Sequence, residues 1–171
     1  MQTILAETAG FCFGVDRAVA LVEQAVREGK RVATLGPIIH NRHVIERFKT
    51  LGVREIAAPE AAAAGECVVI RSHGVSRAVM EALEKMGVEI VDATCPFVKK
   101  IHRIISAAAE NGQQPVIIGT RAHPEVQAIA GWCSAPLVFE SPEEFASWLA
   151  DDAKRTEIPI RMVCQTTSTQ N

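Results

Sequence analysis

Three absences narrow the reading of this 171-residue chain. It has no excess of positive charge: 18 Lys and Arg stand against 20 Asp and Glu, for a net charge of −2. The two signs are mixed along the chain, so no broad basic surface is offered to a nucleic-acid backbone, and any phosphate recognition must be local. It has no uninterrupted apolar run near the ~20 residues that cross a bilayer; even the alanine-rich stretch 56–70 is broken by Pro59, Glu60, Gly65 and Glu66. It has no Cys-x-x-Cys pair, no His-x-x-x-His pair and no basic-then-apolar leader at Met1-Gln2-Thr3. Five irregularly spaced cysteines then fit a reduced cytosolic protein better than a secreted disulfide scaffold, and cytoplasmic location is the expectation.

What is present is enough apolar material, 48% of residues, for α/β cores, arranged as alternating strands and helices. Short apolar runs at Thr3–Ala6, Arg31–Leu35, Val53–Ile56, Cys67–Ile70, Glu89–Asp92, Gln114–Ile118, Leu137–Phe139 and Ile160–Gln165 read as strands. Between them, Val15, Ala18, Val19, Val22, Ala25 and Val26 mark a helix over 14–28, with Arg17 off its apolar stripe. Asn41 and Ser76 are placed to cap helices ending near Thr50 and Met86, and Gly87 stops the second. Pro96 and Pro142 suit first helical positions, and Asn111-Gly112 closes the helix that Pro96 opens. The polar stretch Asp151–Glu157 reads as a surface connection. Such alternation predicts mainly parallel sheet in an α/β fold of two similar small lobes, residues 1–95 and 96–171, divided near Cys95 and Pro96.

The chemistry-bearing residues fall where strands give way to helices. Cys12 lies in Gly-Phe-Cys-Phe-Gly and Cys95 in Thr-Cys-Pro, while His40, His73 and His123 occupy three more such junctions. Strand ends at the carboxyl edge of a sheet are where open α/β proteins hold ligands, and free N–H groups at helix starts attract anions. The positive potential there also favours a thiolate, the form of cysteine that binds metal. Thiolates and imidazoles at such junctions suggest a metal centre beside an anionic substrate, although spacing alone does not name the metal. Cys67 and Cys133 read as structural, and His43 and His102 as helix residues away from the site. Cys164, two residues from Thr166, is open between packing in the core and reaching the site. Glu125 could be a first-turn acidic residue favoured by the helix dipole, or a proton donor beside His123; Thr166 could be a turn residue or could hold a hydroxyl.

Read together, Gly10-Phe11-Cys12-Phe13-Gly14-Val15-Asp16-Arg17-Ala18, His40-Asn41-Arg42, Ser72-His73-Gly74-Val75, Asp92-Ala93-Thr94-Cys95-Pro96, His123-Pro124-Glu125-Val126 and Gln165-Thr166-Thr167 resemble the 4-hydroxy-3-methylbut-2-enyl diphosphate reductases over nearly the whole chain. The resemblance implies an iron-sulfur oxidoreductase of the non-mevalonate isoprene route, with three α/β lobes in a trefoil around a 4Fe-4S cluster. It would carry out reductive dehydroxylation of the allylic alcohol diphosphate to isopentenyl and dimethylallyl diphosphates. It implies Cys12 and Cys95 as cluster ligands, and His40, His73 and His123 as lining of the diphosphate pocket. Glu125 would supply the proton that lets hydroxide leave as water, and Thr166 would place the substrate hydroxyl. An electron donor such as ferredoxin or flavodoxin is implied as partner.

The family uses a third cysteine, in a C-terminal lobe whose serine and asparagine residues also hold the diphosphate. This sequence stops short of that lobe, so the expectation is a truncated chain, or one completed by a partner, with little or no reductase activity alone. The rival reading is a non-catalytic diphosphate-binding fragment without a stable cluster, which would need neither iron nor Cys95. A zinc hydrolase built on His40, His73 and His123 is a third, weakened by the lack of an accompanying carboxylate-rich site.

Overall fold

The computed structural model describes residue 4 and residues 9–167. The expected first strand, Thr3–Ala6, lies outside the described residues apart from Ile4. The chain proceeds through α1 (Phe13–Arg27), β1 (Arg31–Leu35), α2 (Arg42–Thr50), β2 (Arg54–Ile56), β3 (Glu66–Ile70), α3 (Arg77–Met86), β4 (Glu89–Asp92) and α4 (Pro96–Glu110). It continues through β5 (Gln114–Ile118), α5 (Pro124–Ala130), β6 (Leu137–Phe139), α6 (Pro142–Ala150) and β7 (Ile160–Cys164). These strands form two sheets, of order β2-β1-β3-β4 and β6-β5-β7, and every registered pair is parallel.

The apolar strands of the first sheet are buried on both faces, as parallel sheets require. Alternation along each strand divides them: Val32, Cys67 and Val69 pack with Ala18 and Val22 of α1 and Phe48 of α2, while Ala33, Leu35, Val68 and Ile70 pack with Leu83 of α3. Leu83 is fully buried, and truncating it to alanine should cost about 2–5 kcal/mol. In the second sheet Ile117 and Val163 pack with Ile105 of α4 and Ile129 of α5.

Helix starts follow the local chemistry. Asn41 Oδ1 accepts the Val44 amide (3.2 Å), Ser76 Oγ that of Val79 (3.4 Å) and Ser141 Oγ that of Glu144 (3.2 Å), each satisfying an amide left free by the first turn. Gly87 ends α3 at φ 66°, a left-handed conformation that glycine adopts without a Cβ clash. Two stretches depart from expectation. Residues 151–157 are not a plain connection: Ala153–Glu157 is a 3-10 helix, capped by Asp152 Oδ1 accepting from the Lys154 amide at 3.0 Å. The third strand begins at Glu66 rather than Cys67, because Arg54 on β2 grips the buried Glu66 carboxylate through Nε (2.8 Å) and Nη2 (3.0 Å).

Backbone and side-chain bonds join the two sheets. The Arg77 amide donates to the Gly131 carbonyl (3.3 Å), and Trp132 Nε1 donates to the Val75 carbonyl (2.8 Å). A side chain at Gly131 would overlap Ser76, so this approach requires glycine. The carboxyl ends of β1, β3, β4, β5 and β7 lead into the segments bearing His40, His73, Cys95, His123 and Thr166.

Candidate functional site

His40, after β1, and His73, after β3, belong to the first sheet's loops; His123 is the N-cap of α5 in the second. Their rings converge. Centroids of His40 and His73 lie 4.8 Å apart, those of His73 and His123 5.4 Å, and those of His40 and His123 6.2 Å. One ring nitrogen of each lies within 4.8 Å of one of each other ring. Burial, with repulsion from His40, His123 and Arg71, pushes His73 down to about 4, so this ring is neutral at pH 7. Its Nδ1 is buried without a protein partner.

His123 carries the detail that separates an anion pocket from a metal site. Its Nδ1 accepts the Glu125 amide at 3.1 Å, so the neutral ring holds its proton on Nε2. An Nε2 that carries the proton is a donor, suited to a phosphate oxygen, whereas metal ligation needs that nitrogen bare while Nδ1 donates outward. The arrangement therefore suits an oxyanion better than a zinc ion.

Glu125, in the first turn of α5, is 1% exposed, and both carboxylate oxygens are engaged by one residue. The Thr166 amide donates to Oε1 at 2.6 Å and the Thr166 hydroxyl to Oε2 at 2.9 Å. This pairing crosses from the end of β7 to the start of α5. It links the carboxyl group to an exposed hydroxyl, a geometry fit for passing a proton between a sheltered acid and a bound oxygen.

The two cysteines expected as cluster ligands lie at neighbouring helix starts. Cys12 is the exposed N-cap of α1, its carbonyl accepting from the amides of Val15 and Asp16, both at 3.0 Å. The half-buried Cys95 precedes α4, and its carbonyl accepts from Lys99 at 2.9 Å. Gly14 shows how close the two helix starts come: a Cβ there would lie 2.7 Å from Cys95 Sγ. The glycine two residues after Cys12 thus makes room for the second thiol. Phe11, Phe13 and Phe97 stand exposed around these cysteines. Two free thiols at neighbouring helix starts are donor groups of the kind that iron-sulfur centres use.

Cys67 is buried, and Cys133 contacts the second core; burial raises both thiols, as suits structural residues. Cys164 is exposed at the end of β7, so it does not pack in the core. His43 is exposed on α2, and His102 is buried against Trp132 with ring centroids 5.1 Å apart; neither joins the histidine cluster.

Two positioning residues were not singled out by the sequence reading. Ser72 donates to the Ile38 carbonyl through both its amide (3.3 Å) and Oγ (3.2 Å), and its own carbonyl accepts the Cys95 amide at 2.9 Å. Arg17, read as lying off the core stripe, reaches from α1 to the carbonyls of Thr94 (3.2 Å) and Asp92 (3.3 Å). Both lie inside motifs quoted above. Only their spacing off the apolar stripe or beside a histidine hinted at them, and neither spacing indicates a bond across so many residues.

Two parallel α/β layers meeting over a histidine cluster, with a buried acid and paired thiols alongside, define a ligand-holding α/β protein of the carboxyl-edge type. The chain belongs to the family described as LytB protein, which it matches over residues 3–171. It is 44% identical over 149 residues to the 4-hydroxy-3-methylbut-2-enyl diphosphate reductase of Caldanaerobacter subterraneus subsp. tengcongensis, an alignment covering 84% of this chain and 52% of that protein. Among solved structures, that of (E)-4-hydroxy-3-methyl-but-2-enyl diphosphate reductase, the terminal enzyme of the non-mevalonate pathway, superposes with a TM-score of 0.81 at 40% identity; the match covers 98% of this chain and 59% of that one. The reductase of Plasmodium falciparum gives a TM-score of 0.86 at 24% identity over 95% of this chain and 50% of its own, a likeness of fold. The chain spans about half the length of the curated relatives it matches. Among the described residues no helix is long and apolar enough to cross a membrane.

Proposed function

We propose that this chain supplies the diphosphate-binding and proton-delivering part of a 4-hydroxy-3-methylbut-2-enyl diphosphate reductase, with lobes dividing near Cys95 and Pro96. The observation that carries the reading is the convergence of His40, His73 and His123 from both sheets beside the Glu125–Thr166 pair. The imidazoles hold the diphosphate by hydrogen bonds, and the donor state of His123 Nε2 orients it. Thr166 positions the substrate hydroxyl, and Glu125 delivers through it the proton with which that oxygen departs as water. Two electrons and two protons enter for each water lost, and the products are isopentenyl and dimethylallyl diphosphates.

Cys12 and Cys95 are the residues here that would hold an iron-sulfur cluster, and the Gly14 gap supports their sharing it. Bound there, the cluster supplies electrons and a Lewis-acidic iron. The donor is an external one-electron protein such as ferredoxin or flavodoxin. The apolar surround of Phe11, Phe13 and Phe97 is suited to exclude water once covered.

The test is twofold. Calorimetric titration of the 171-residue chain with inorganic diphosphate should give saturable binding that His123→Ala weakens. Anaerobic reconstitution with iron and sulfide should load metal in a manner that depends on Cys12 and Cys95. Absence of diphosphate binding, or binding indifferent to all three histidines, rejects the reading. Diphosphate binding with iron uptake unaffected by either cysteine replaces it with the non-catalytic binder.

A further inference from the structure

A cavity of about 250 Å3 is lined by His102 and by none of the three clustered histidines, with walls drawn from both sheets' connections. Its interior is mostly apolar. Val75, Met80 and Trp132 line it, with the Trp132 indole stacked on His102 at 5.1 Å and 19°. His102 is 5% exposed, and burial pushes it down to about 4 against the pull of Asp92, so at neutral pH it is an uncharged aromatic wall. Its Cε1–Nε2 edge backs onto Gly74, where a Cβ would lie 2.8 Å from Cε1. That nitrogen is buried without a partner.

The mouth is charged, and positively on balance. Lys99 and Arg103 lie one turn apart on α4, both lining the opening, against a single carboxylate from Asp92 that Lys99 holds at 2.6 Å. Arg103 has no carboxylate partner among the described residues; its guanidinium reaches only the Lys99 carbonyl at 3.5 Å. An apolar chamber with an unpaired guanidinium at its lip is complementary to a molecule with a hydrocarbon body and an anionic head. The volume sets the size: a cavity of ~150 Å3 accommodates benzene, so this one has room for roughly ten carbon-sized atoms.

We infer that this cavity is a second ligand site, separate from the histidine cluster, for a small hydrocarbon of about ten carbons or fewer bearing a phosphate or carboxylate head. The hydrocarbon lies against Val75, Met80 and Trp132, and the head is held by Arg103. The site is next to both functional turns, since His102 touches Gly74, the neighbour of His73, and Thr94 of the cavity wall precedes Cys95.

The reporter is Trp132. In a Trp148→Phe background it is the only tryptophan, since the chain has two, and its emission is followed on titration with octyl phosphate, octanoate and uncharged octanol. Octyl phosphate or octanoate should give a saturable change with a midpoint below about 100 μM, and the difference between them identifies the head group. Octanol should bind at least about tenfold more weakly. Arg103→Glu, a change at an exposed position, should weaken the anionic ligands about tenfold and leave octanol unmoved. Met80→Phe, which fills the chamber, should abolish the change without lowering the melting temperature. Saturating inorganic diphosphate should not compete. An emission change that never saturates to 1 mM, one that diphosphate displaces, or one indifferent to both variants overturns the site.

Discussion

The histidine cluster and the thiol edge are built by neighbouring turns of one fold yet differ in completeness. The cluster has its rings within contact of one another, its tautomer set at His123 by a backbone amide, and its acid locked to Thr166. The thiol edge has one exposed and one half-buried cysteine, bordered by exposed phenylalanines. The histidine side is thus preorganised by this chain's own packing, whereas two thiols alone fall short of the four that an iron-sulfur cluster commonly takes. Binding and electron delivery should therefore be separable by mutation.

The largest effect expected to sharpen that contrast is on turnover. In an assembled, cluster-bearing enzyme, Glu125→Gln should lower kcat by about 10²–10³ while diphosphate affinity stays within about twofold, because the amide keeps the shape and loses the proton. A parallel loss of affinity would place Glu125 in binding instead. Next, Cys12→Ser and Cys95→Ser should each remove most of the iron taken up on anaerobic reconstitution, read by labile-sulfide assay, with calorimetric diphosphate binding unchanged. Coupled losses would break the division between the two regions.

A smaller effect concerns the rings themselves. His123→Ala should raise the diphosphate Kd about 10- to 30-fold, the size of one charge-assisted hydrogen bond, and leave iron uptake alone. Gly14→Ala should cost about 1–3 kcal/mol in urea denaturation and reduce iron retention, since its methyl would press on Cys95 Sγ. An alanine variant of full stability would show that the Cys95 turn yields freely.

The smallest effect is on stability against pH. His102 titrates near 4 in the folded chain and near 6.5 when unfolded. Between those values the unfolded state takes up a proton that the native state refuses. The stabilisation is therefore fully present above pH 6.5 and is lost as pH falls toward 4. This ring alone should account for about 1 kcal/mol between pH 7 and 5.5, measurable as a shift in urea midpoint that His102→Leu flattens. The depressed His73 has the same sign, and bound diphosphate should favour its protonation, so diphosphate affinity should rise on acidification over the same range.

Much of the frame was legible because its signals are local. Asn41, Ser76 and Ser141 mark helix starts by bonds that span three residues, and the unbroken β3 run Cys67–Ile70 reads as a strand buried on two faces. The short 3-10 helix at Ala153–Glu157 was not legible, since one alanine and four polar residues carry no apolar period. The site was legible as a set of junctions but not as a place. The closeness of His123 to His40 and His73 depends on how the two sheets dock, through Gly131 on Ser76 and Trp132 on Val75, contacts that no periodicity announces. Arg17 was hidden for the same reason, its partners lying 75 and 77 residues away.

Ser72 has a consequence of its own. Its amide and hydroxyl both fasten onto Ile38, two residues before His40, while its carbonyl fastens the Cys95 amide and its backbone runs directly into His73. One residue thereby straps two imidazole-bearing loops to a sulfur-bearing one, its hydroxyl serving only the Ile38 end. A loop so tethered has little slack. Replacing this serine by alanine removes the hydroxyl bond alone, so it should slacken the hold on the Ile38 loop while the backbone tie to Cys95 persists.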